Sequence, residues 1–187
     1  MTPPFRALKT IALVGLMGVG KTSIGRRLAQ RLDLPFVDAD AEIEAAAGTS
    51  IEEIFQRHGE AAFRDGERRV MARLLDAPPG VLATGGGAFM DTSTRALLRS
   101  HAITVWLRAD LEVMLARVAR RTNRPLLKTG DPRAVLERLV AERYPVYAEA
   151  DVTVDSIDGP PDATVERVIA ALASHGDVAT DPARSAS

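Results

Sequence analysis

Five short runs of apolar and β-branched residues recur along the chain, and segments with helical periodicity separate them. The runs cover residues 10–15, 35–37, 81–84, 102–107 and 151–154. Strands that alternate with helices predict a parallel sheet covered by helices on both faces. Hydrophobicity is continuous at 11–14 and 103–107, as expected of strands that are buried on both sides. The pattern therefore predicts a three-layer α/β fold.

One predicted helix, over about residues 60–75, has charged side chains at the edge of its apolar face. Arg64 and Glu67 flank that face at a spacing of three residues, so we expect Arg64 to lean out toward a cleft. Capping side chains mark where other helices begin. They are Thr49 or Ser50, Asp91 or Thr92, and Asp131, which precedes a proline suited to the first helical position.

The length and composition of the chain suit a single domain. Its 187 residues, with a mass of 20.1 kDa, are enough to bury a full hydrophobic core. We expect one domain over residues 1–175 and a disordered tail over 176–187, where the sequence is small and polar. The absence of cysteine excludes disulfides, thiolate metal sites and a cysteine nucleophile.

Hydropathy and net charge indicate the cellular location of the protein and the partners that it is not expected to bind. No apolar run approaches the length of a signal-peptide core or a membrane span, so we expect a cytoplasmic protein with no membrane partner. The formal net charge of −1 and the pI near 6.3 give no general attraction for nucleic acid. Any anionic ligand must therefore be held by a local cluster of charges.

Residues 15–22 match the phosphate-binding pattern G-x-x-x-x-G-K-[ST]. The match lies between the first apolar run and a helical segment over 23–32, which is the strand, loop and helix order that a P-loop requires. Glycines let the backbone N–H groups point inward, the lysine supplies an ammonium group, and the threonine hydroxyl can ligate Mg²⁺. We therefore predict a nucleoside triphosphate site that contains Gly18, Val19, Gly20, Lys21, Thr22 and Ser23.

Two carboxylates, Asp38 and Asp40, follow the second apolar run. Ligands of open parallel sheets collect at the carboxyl ends of the strands, so this position favours a functional role. One aspartate can serve a Mg²⁺ ion through water while the other meets an acceptor hydroxyl. The alternative is that either aspartate simply caps the helix that follows.

Three successive glycines, Gly85, Gly86 and Gly87, follow the third apolar run. A turn needs only one glycine, whereas three allow a ligand to lie against bare backbone and its N–H donors. A flexible turn is the alternative interpretation. Because the run ends a strand beside the predicted P-loop, we interpret it as the floor of a substrate site.

Basic residues concentrate between residues 117 and 131, a segment that we predict to be a mobile lid. Arginines on a lid can close over a triphosphate, exclude water and neutralise developing charge. For Arg117 and Arg120, the alternative is a solvated, positively charged helix face. Arg124 precedes Pro125 and so fits poorly in the middle of a helix, which favours the lid interpretation at that position.

Arg143 begins the segment R-Y-P-V-Y, which we expect to end one helix and to start another before the fifth strand. Arg143 and Arg64 are far apart in the sequence, but we expect both to face the same cleft. Two guanidinium groups suit a carboxylate better than two lysines would, because each can donate two parallel hydrogen bonds.

The order of these motifs resembles the shikimate kinase family. The P-loop is followed by S-I-G-R-R-L-A, F-V-D-A-D, A-A-F-R-D-G-E, A-T-G-G-G-A, R-P-L-L and R-Y-P-V-Y, and the likeness covers about residues 9–172. It implies a nucleoside-monophosphate-kinase-like P-loop fold with a five-stranded parallel sheet and a mobile lid, usually monomeric. The implied reaction transfers the γ-phosphoryl group of ATP to the 3-hydroxyl of shikimate, in the route to chorismate and the aromatic amino acids.

For the phosphate donor, the resemblance implies ATP and Mg²⁺ and a role for each matched residue. Lys21 would contact the phosphates, Thr22 would ligate Mg²⁺, and Asp38 would support the metal through water. Arg124, from the R-P-L-L motif of the lid, would reach over the transferring phosphate. Arg121 resembles the arginine that stacks on adenine.

For the acceptor, the resemblance implies that shikimate is held by side chains from several motifs. Asp40 would bind its hydroxyl groups and take part in catalysis together with Lys21 and Arg124. Its carboxylate would be bound by Arg64 and Arg143. Its ring would lie on Gly85, Gly86 and Gly87.

Three other functions stay open at this point. A different small-molecule kinase, such as a gluconate kinase, shares the P-loop but is not expected to combine the glycine run with the two arginines. A nucleoside monophosphate kinase is less favoured, because the acceptor side offers no obvious pocket for a base. A nucleotide-dependent switch would need no acceptor site, and an assay without any partner protein would distinguish it.

Overall fold

The computed structural model describes residues 5–120, 130–176 and 178–180. The strands are β1 (Phe5–Ala7), β2 (Thr10–Val14), β3 (Phe36–Asp38), β4 (Val81–Ala83), β5 (Ala102–Arg108), β6 (Val152–Asp155) and β7 (Val178–Thr180). The helices are α1 (Lys21–Leu32), α2 (Ala39–Ala47), α3 (Ile51–Leu75), α4 (Thr92–His101), α5 (Leu111–Ala119), α6 (Pro132–Tyr147) and α7 (Pro161–Ala173), with a short 3₁₀ helix at Ala88–Met90.

Five parallel strands form the central sheet in the order β3-β4-β2-β5-β6. Each of the five apolar runs overlaps one of these strands, so the predicted α/β fold with a parallel sheet and flanking helices is confirmed. All of β2 is buried, as are the first six residues of β5. This burial on both sides explains why their hydrophobicity is continuous rather than alternating.

The central position of β2 fixes where a ligand can bind. The chain crosses from β2 through the P-loop into α1 and returns to the sheet edge as β3, while β4 pairs between β2 and β3. The carboxyl ends of these three strands therefore lie side by side. The P-loop, the two aspartates and the glycine run lie at these ends.

α3 combines two segments that the sequence presents separately. It begins at Ile51, where the Ser50 hydroxyl accepts a hydrogen bond from the Glu53 backbone N–H at 3.2 Å, and it continues to Leu75. Gly59 interrupts it with φ 80° and ψ 175°, values that kink the helix and that glycine adopts readily. The second half of the helix faces the glycine run with Arg64.

The expectation that R-Y-P-V-Y joins two helices is wrong. α6 runs without a break from Pro132 to Tyr147 and contains Pro145 in its last turn. Proline removes one backbone hydrogen bond, but the helix is held beyond it by the Ala148 N–H bond to the Tyr144 carbonyl at 3.0 Å. Packing of both tyrosines against Trp106 further anchors this turn to β5.

Two boundaries predicted from the sequence differ in the structure: the start of the disordered tail and the start of the lid. β7 pairs antiparallel with β1, so the prediction of disorder is wrong for Val178–Thr180. Three-residue strands are too short to give a periodic signal in the sequence, which explains the error. The lid was expected from residue 117, but α5 extends to Ala119 and includes Arg117. Within the described ranges, the structure has no helix with the length and apolar character needed to cross a membrane.

Candidate active site

A cleft of about 1280 Å³ opens at the carboxyl ends of β2, β3 and β4. The P-loop and the start of α1 form one wall, and α2 and α3 form the other. Among the described site residues predicted from the sequence, the cleft is lined by Gly18, Gly20, Lys21, Thr22, Ser23, Asp38, Asp40, Arg64, Gly85, Gly86, Gly87 and Arg143. Val19 belongs to the P-loop, but its side chain is buried. Arg121 and Arg124 lie outside the described residues.

The Lys21 side chain lies against the backbone of the P-loop. The Lys21 ammonium group donates hydrogen bonds to the carbonyls of Gly15 at 2.6 Å and Leu16 at 3.0 Å. The loop reaches α1 through Gly20, whose φ of 96° lies in the left-handed region. The unbonded N–H groups of the first turn of α1 follow immediately, which makes this end of the helix a favourable place for phosphate oxygens.

Thr22 and Asp38 form the part of the site that suits a hard cation. The Thr22 hydroxyl donates to Asp38 Oδ2 at 3.0 Å, while Asp38 Oδ1 accepts from the backbone N–H groups of Asp40 at 3.0 Å and Ala41 at 3.3 Å. Asp38 therefore caps α2, as the alternative interpretation predicted, and also contacts the P-loop, while its role toward Mg²⁺ stays a prediction. The described residues contain no cluster of three or more His, Asp or Glu side chains that could bind a metal. A Mg²⁺ ion here would need water and phosphate oxygens for most of its ligands, as is usual for that ion.

Asp40 points its carboxylate at the glycine run. A Cβ atom added to Gly85 would lie only 2.7 Å from Asp40 Oδ1, so the approach of these two groups requires glycine. Burial raises the pKa of the Asp40 carboxyl above its ordinary value, and the negative charge of Asp38 raises it further, against the opposing effect of Lys21. This carboxylate is consequently a better proton acceptor than a solvated aspartate.

Arg64 lies across Gly87 and is held by a buried glutamate. A Cβ atom on Gly87 would overlap Arg64 Nη2. The Nη1 atom of the same guanidinium donates to Glu67 Oε1 at 2.6 Å, and Glu67 is only 1% exposed. Burial raises the pKa of the Glu67 carboxyl, while its hydrogen bond with Arg64 acts in the opposite direction. The sequence placed Glu67 beside Arg64 but did not identify it as the buried partner that orients this arginine.

Arg143 enters the cleft from the last turns of α6. Its Nη1 atom donates to the Gly86 carbonyl at 3.0 Å, and the Tyr147 hydroxyl donates to the same oxygen at 2.5 Å. Arg64 and Arg143 thus both lie at the glycine run, against different residues of it. The acceptor side of the cleft carries two guanidinium groups and one partly desolvated carboxylate.

Arg117 has a role that neither sequence interpretation described. Its guanidinium donates to the Val19 carbonyl at 2.9 Å, to the Ser156 hydroxyl at 2.9 Å and to the Ile157 carbonyl at 2.7 Å. Burial lowers the pKa of this arginine. It is neither part of the lid nor a solvated residue, but ties the P-loop to the segment after β6. No local pattern indicates such a contact, because its partners are distant in the sequence.

A P-loop that faces a floor of three glycines beside an aspartate and two arginines, on a five-stranded parallel sheet, is typical of a P-loop kinase of a small molecule. A family model described as shikimate kinase matches residues 17–173. The chain belongs to the shikimate kinase family. It is accordingly an enzyme, a phosphotransferase that acts on an alcohol group.

Individual relatives cover nearly all of the chain. The shikimate kinase of Caulobacter vibrioides is 62% identical over 169 residues, which span 90% of this chain and 84% of that protein. The shikimate kinase of Paramagnetospirillum magneticum is 60% identical over 170 residues, which span 91% of this chain and 87% of that protein. The solved shikimate kinase from Acinetobacter baumannii in complex with shikimate is 38% identical with a TM-score of 0.84, over 89% of this chain and 93% of that one.

A likeness to another kinase class extends to the fold alone. A gluconokinase structure from Sinorhizobium meliloti matches with a TM-score of 0.60 and 20% identity, over 90% of this chain and 93% of that one. Identity at this level carries no information about the acceptor. The two kinase classes therefore share the sheet and the flanking helices.

Proposed function

We propose that the protein transfers the γ-phosphoryl group of ATP to the 3-hydroxyl of shikimate, giving shikimate 3-phosphate and ADP, as a step toward chorismate and the aromatic amino acids. The observation that carries the proposal is the acceptor floor, where Asp40, Arg64 and Arg143 surround three glycines opposite the P-loop. Shikimate offers the matching groups, a carboxylate and ring hydroxyls. Membership of the shikimate kinase family supports the same reaction.

On the acceptor side, we assign the shikimate carboxylate to the guanidinium groups of Arg64 and Arg143. Each has donors left after its bonds to Glu67 and Gly86, and planar guanidinium groups pair well with carboxylates. The bare backbone of the glycine run leaves room for a ring to lie between them. Asp40 then receives the hydroxyl that attacks.

On the donor side, we assign the phosphates to the P-loop backbone and Lys21. Thr22 would ligate Mg²⁺, and its neighbour Asp38 would support the ion through water, since Mg²⁺ prefers oxygen ligands. The ion would supply positive charge to the phosphate oxygens. Lys21 would leave its carbonyl partners to meet the same oxygens. From the resemblance alone, Arg124 would reach the transferring phosphate and Arg121 the adenine.

Asp40 would act mainly by positioning the acceptor hydroxyl and would take its proton late. The transition state of phosphoryl transfer is loose in most analyses, so little deprotonation is needed before the bond to ADP is largely broken. The pKa of Asp40, raised by burial, favours accepting that proton compared with an ordinary aspartate. Most of the rate would come from placing the reactants in line and from positive charge around the phosphoryl group.

The test is ADP release by the purified protein with MgATP and either no acceptor, shikimate or gluconate at equal concentration. We expect strong stimulation by shikimate alone, with shikimate 3-phosphate as the product in ³¹P NMR. Stimulation by gluconate instead would contradict the assigned acceptor. ATP binding with no stimulation by either would favour the switch alternative. Omitting Mg²⁺ and adding a chelator tests the metal, and we expect turnover to stop.

The remaining expectations concern the state in which the enzyme works. We propose a monomer in the cytoplasm that needs no nucleic acid or membrane partner. The net charge of −1 supports the absence of a nucleic-acid or anionic-membrane partner, because it gives no general attraction for polyanions. Light scattering after size exclusion should give a mass near 20.1 kDa, and twice that mass would contradict the monomer.

A further inference from the structure

The middle carbonyl of the glycine run is held by two donors from one helix. Gly86 O accepts from Arg143 Nη1 at 3.0 Å and from the Tyr147 hydroxyl at 2.5 Å. Arg143 and Tyr147 are four residues apart on α6, so they lie one above the other on the same helix face. A carbonyl oxygen has two lone pairs, and these two donors use both.

Tyr147 is the fixed member of this group. Its side chain is fully buried, and its ring stacks on Phe89 with centroids 6.2 Å apart and on Trp106 at 5.9 Å. Phe89 belongs to the 3₁₀ helix that directly follows the glycine run. The ring therefore packs against the same segment that its hydroxyl holds by a hydrogen bond.

The Tyr147 hydroxyl also meets the Arg143 guanidinium, and a buried hydroxyl that loses its acceptor is strongly disfavoured. Burial raises the pKa of Tyr147 to about 12, against the opposing effect of Arg143. The group thus keeps its proton and stays a donor at any ordinary working pH. The Tyr147 hydroxyl consequently holds the Gly86 carbonyl in one orientation, beside the guanidinium that shares it.

We propose that Tyr147 is a positioning residue for the acceptor site: its hydroxyl fixes the Gly86 carbonyl, and that carbonyl fixes the guanidinium of Arg143 for the acceptor carboxylate. This inference rests on the proposed function. With one Nη1 hydrogen tied to Gly86 O, the other donors of Arg143 keep a fixed direction. Tyr147 itself touches no substrate in this scheme.

The test compares Tyr147→Phe with Tyr144→Phe. Tyr147→Phe deletes one oxygen and keeps the ring, and we expect it to raise the KM for shikimate about 3- to 10-fold with the KM for ATP unchanged. Tyr144 is the matched control, because it lies on the same helix and against the same Trp106 but donates to the Ala109 carbonyl at 2.7 Å. Tyr144→Phe should leave both KM values unchanged.

A double-mutant cycle separates positioning from a general structural role. If Tyr147 acts through Arg143, Tyr147→Phe should not raise the shikimate KM further in an Arg143→Ala background. An additive effect there, an equal rise of both KM values, or the same result from Tyr144→Phe would overturn the inference. Partial unfolding does not obscure the outcome, because the folded fraction changes kcat and not KM.

The wild-type assay distinguishes failure of this inference from failure of the proposed function. If the wild-type protein does not phosphorylate shikimate, the assigned acceptor is wrong, and the role of Tyr147 in binding it falls with that assignment. If the wild-type protein is active and Tyr147→Phe has an unchanged shikimate KM, only the positioning role is wrong.

Discussion

The donor and acceptor sides of the cleft are built in different ways. The donor side consists of one continuous loop, residues 15–22, whose backbone and single lysine face the phosphate site. The acceptor side is assembled from α2, α3 and α6, which contribute Asp40, Arg64 and Arg143, and from the bare backbone of the glycine run. A local motif therefore describes the core of the donor side, whereas the acceptor side exists only once the chain has folded.

The two sides also differ in what holds their functional groups in place. Most donor groups are backbone groups of one loop, which Arg117 also holds from outside through the Val19 carbonyl. Acceptor groups depend on partners behind them, such as Glu67 behind Arg64 and Tyr147 behind Gly86. We therefore expect changes on the donor side to act on turnover, and changes on the acceptor side to act on acceptor affinity.

The largest expected effect is that of Lys21→Ala. Loss of a preorganised positive group at the transferring phosphate should lower kcat by about 10²- to 10³-fold. The Lys21 bonds to the Gly15 and Leu16 carbonyls lie within the loop itself, so the variant should stay folded. Steady-state kinetics and a thermal melt check this, with Lys9→Ala as the control. A kcat close to wild type would contradict the donor assignment.

Arg64→Ala should separate acceptor affinity from turnover. Removing one charge-assisted contact to a carboxylate should raise the KM for shikimate about 10- to 100-fold and leave the KM for ATP unchanged. Arg69→Ala is the matched control, because Arg69 is exposed on the same helix and, within the part of the chain that the structure describes, bonds only the Asp65 carbonyl, at 3.3 Å. An unchanged shikimate KM in Arg64→Ala would remove this residue from the site.

The three glycines should differ in their tolerance of a side chain. Gly87→Ala forces Arg64 aside and Gly85→Ala displaces Asp40, so each should raise the shikimate KM by about tenfold. Gly86→Ala is the comparison and should have a smaller effect, since its Cβ would lie 3.6 Å from Met17 N and 3.9 Å from Arg143 Nη1, at ordinary contact distance. Equal effects at all three positions would show that bare backbone along the whole run, and not the close approach of Asp40 and Arg64, is what the site requires.

Much of the fold followed from the sequence because its signals are local. Continuous apolar runs located the five central strands, and the P-loop pattern gave the switch from β2 to α1. The unbroken course of α6 through Pro145 did not follow, since the aromatic contacts that hold its last turn come from β5. The contacts of Arg117 and the burial of Glu67 were missed for the same reason: their energetics depend on distant residues.

The smallest expected effect concerns the tie between α3 and α4, which supports the acceptor side. Arg68 donates to both carboxylate oxygens of Asp91, at 3.0 and 2.9 Å, and these bonds hold the pKa of Asp91 well below its ordinary value. Stability from such a lowered pKa is present above the pKa of the unfolded state and is lost as the pH falls through the pKa of the folded state.

Asp91→Asn keeps a helix cap but loses the ion pair, so at pH 7 it should reduce the free energy of unfolding by about 1–2 kcal/mol. That difference, measured in urea, should shrink below pH 4, while Asp131→Asn at the cap of α6 should change little at any pH. A constant difference at all pH values would assign the effect to packing and not to the charge.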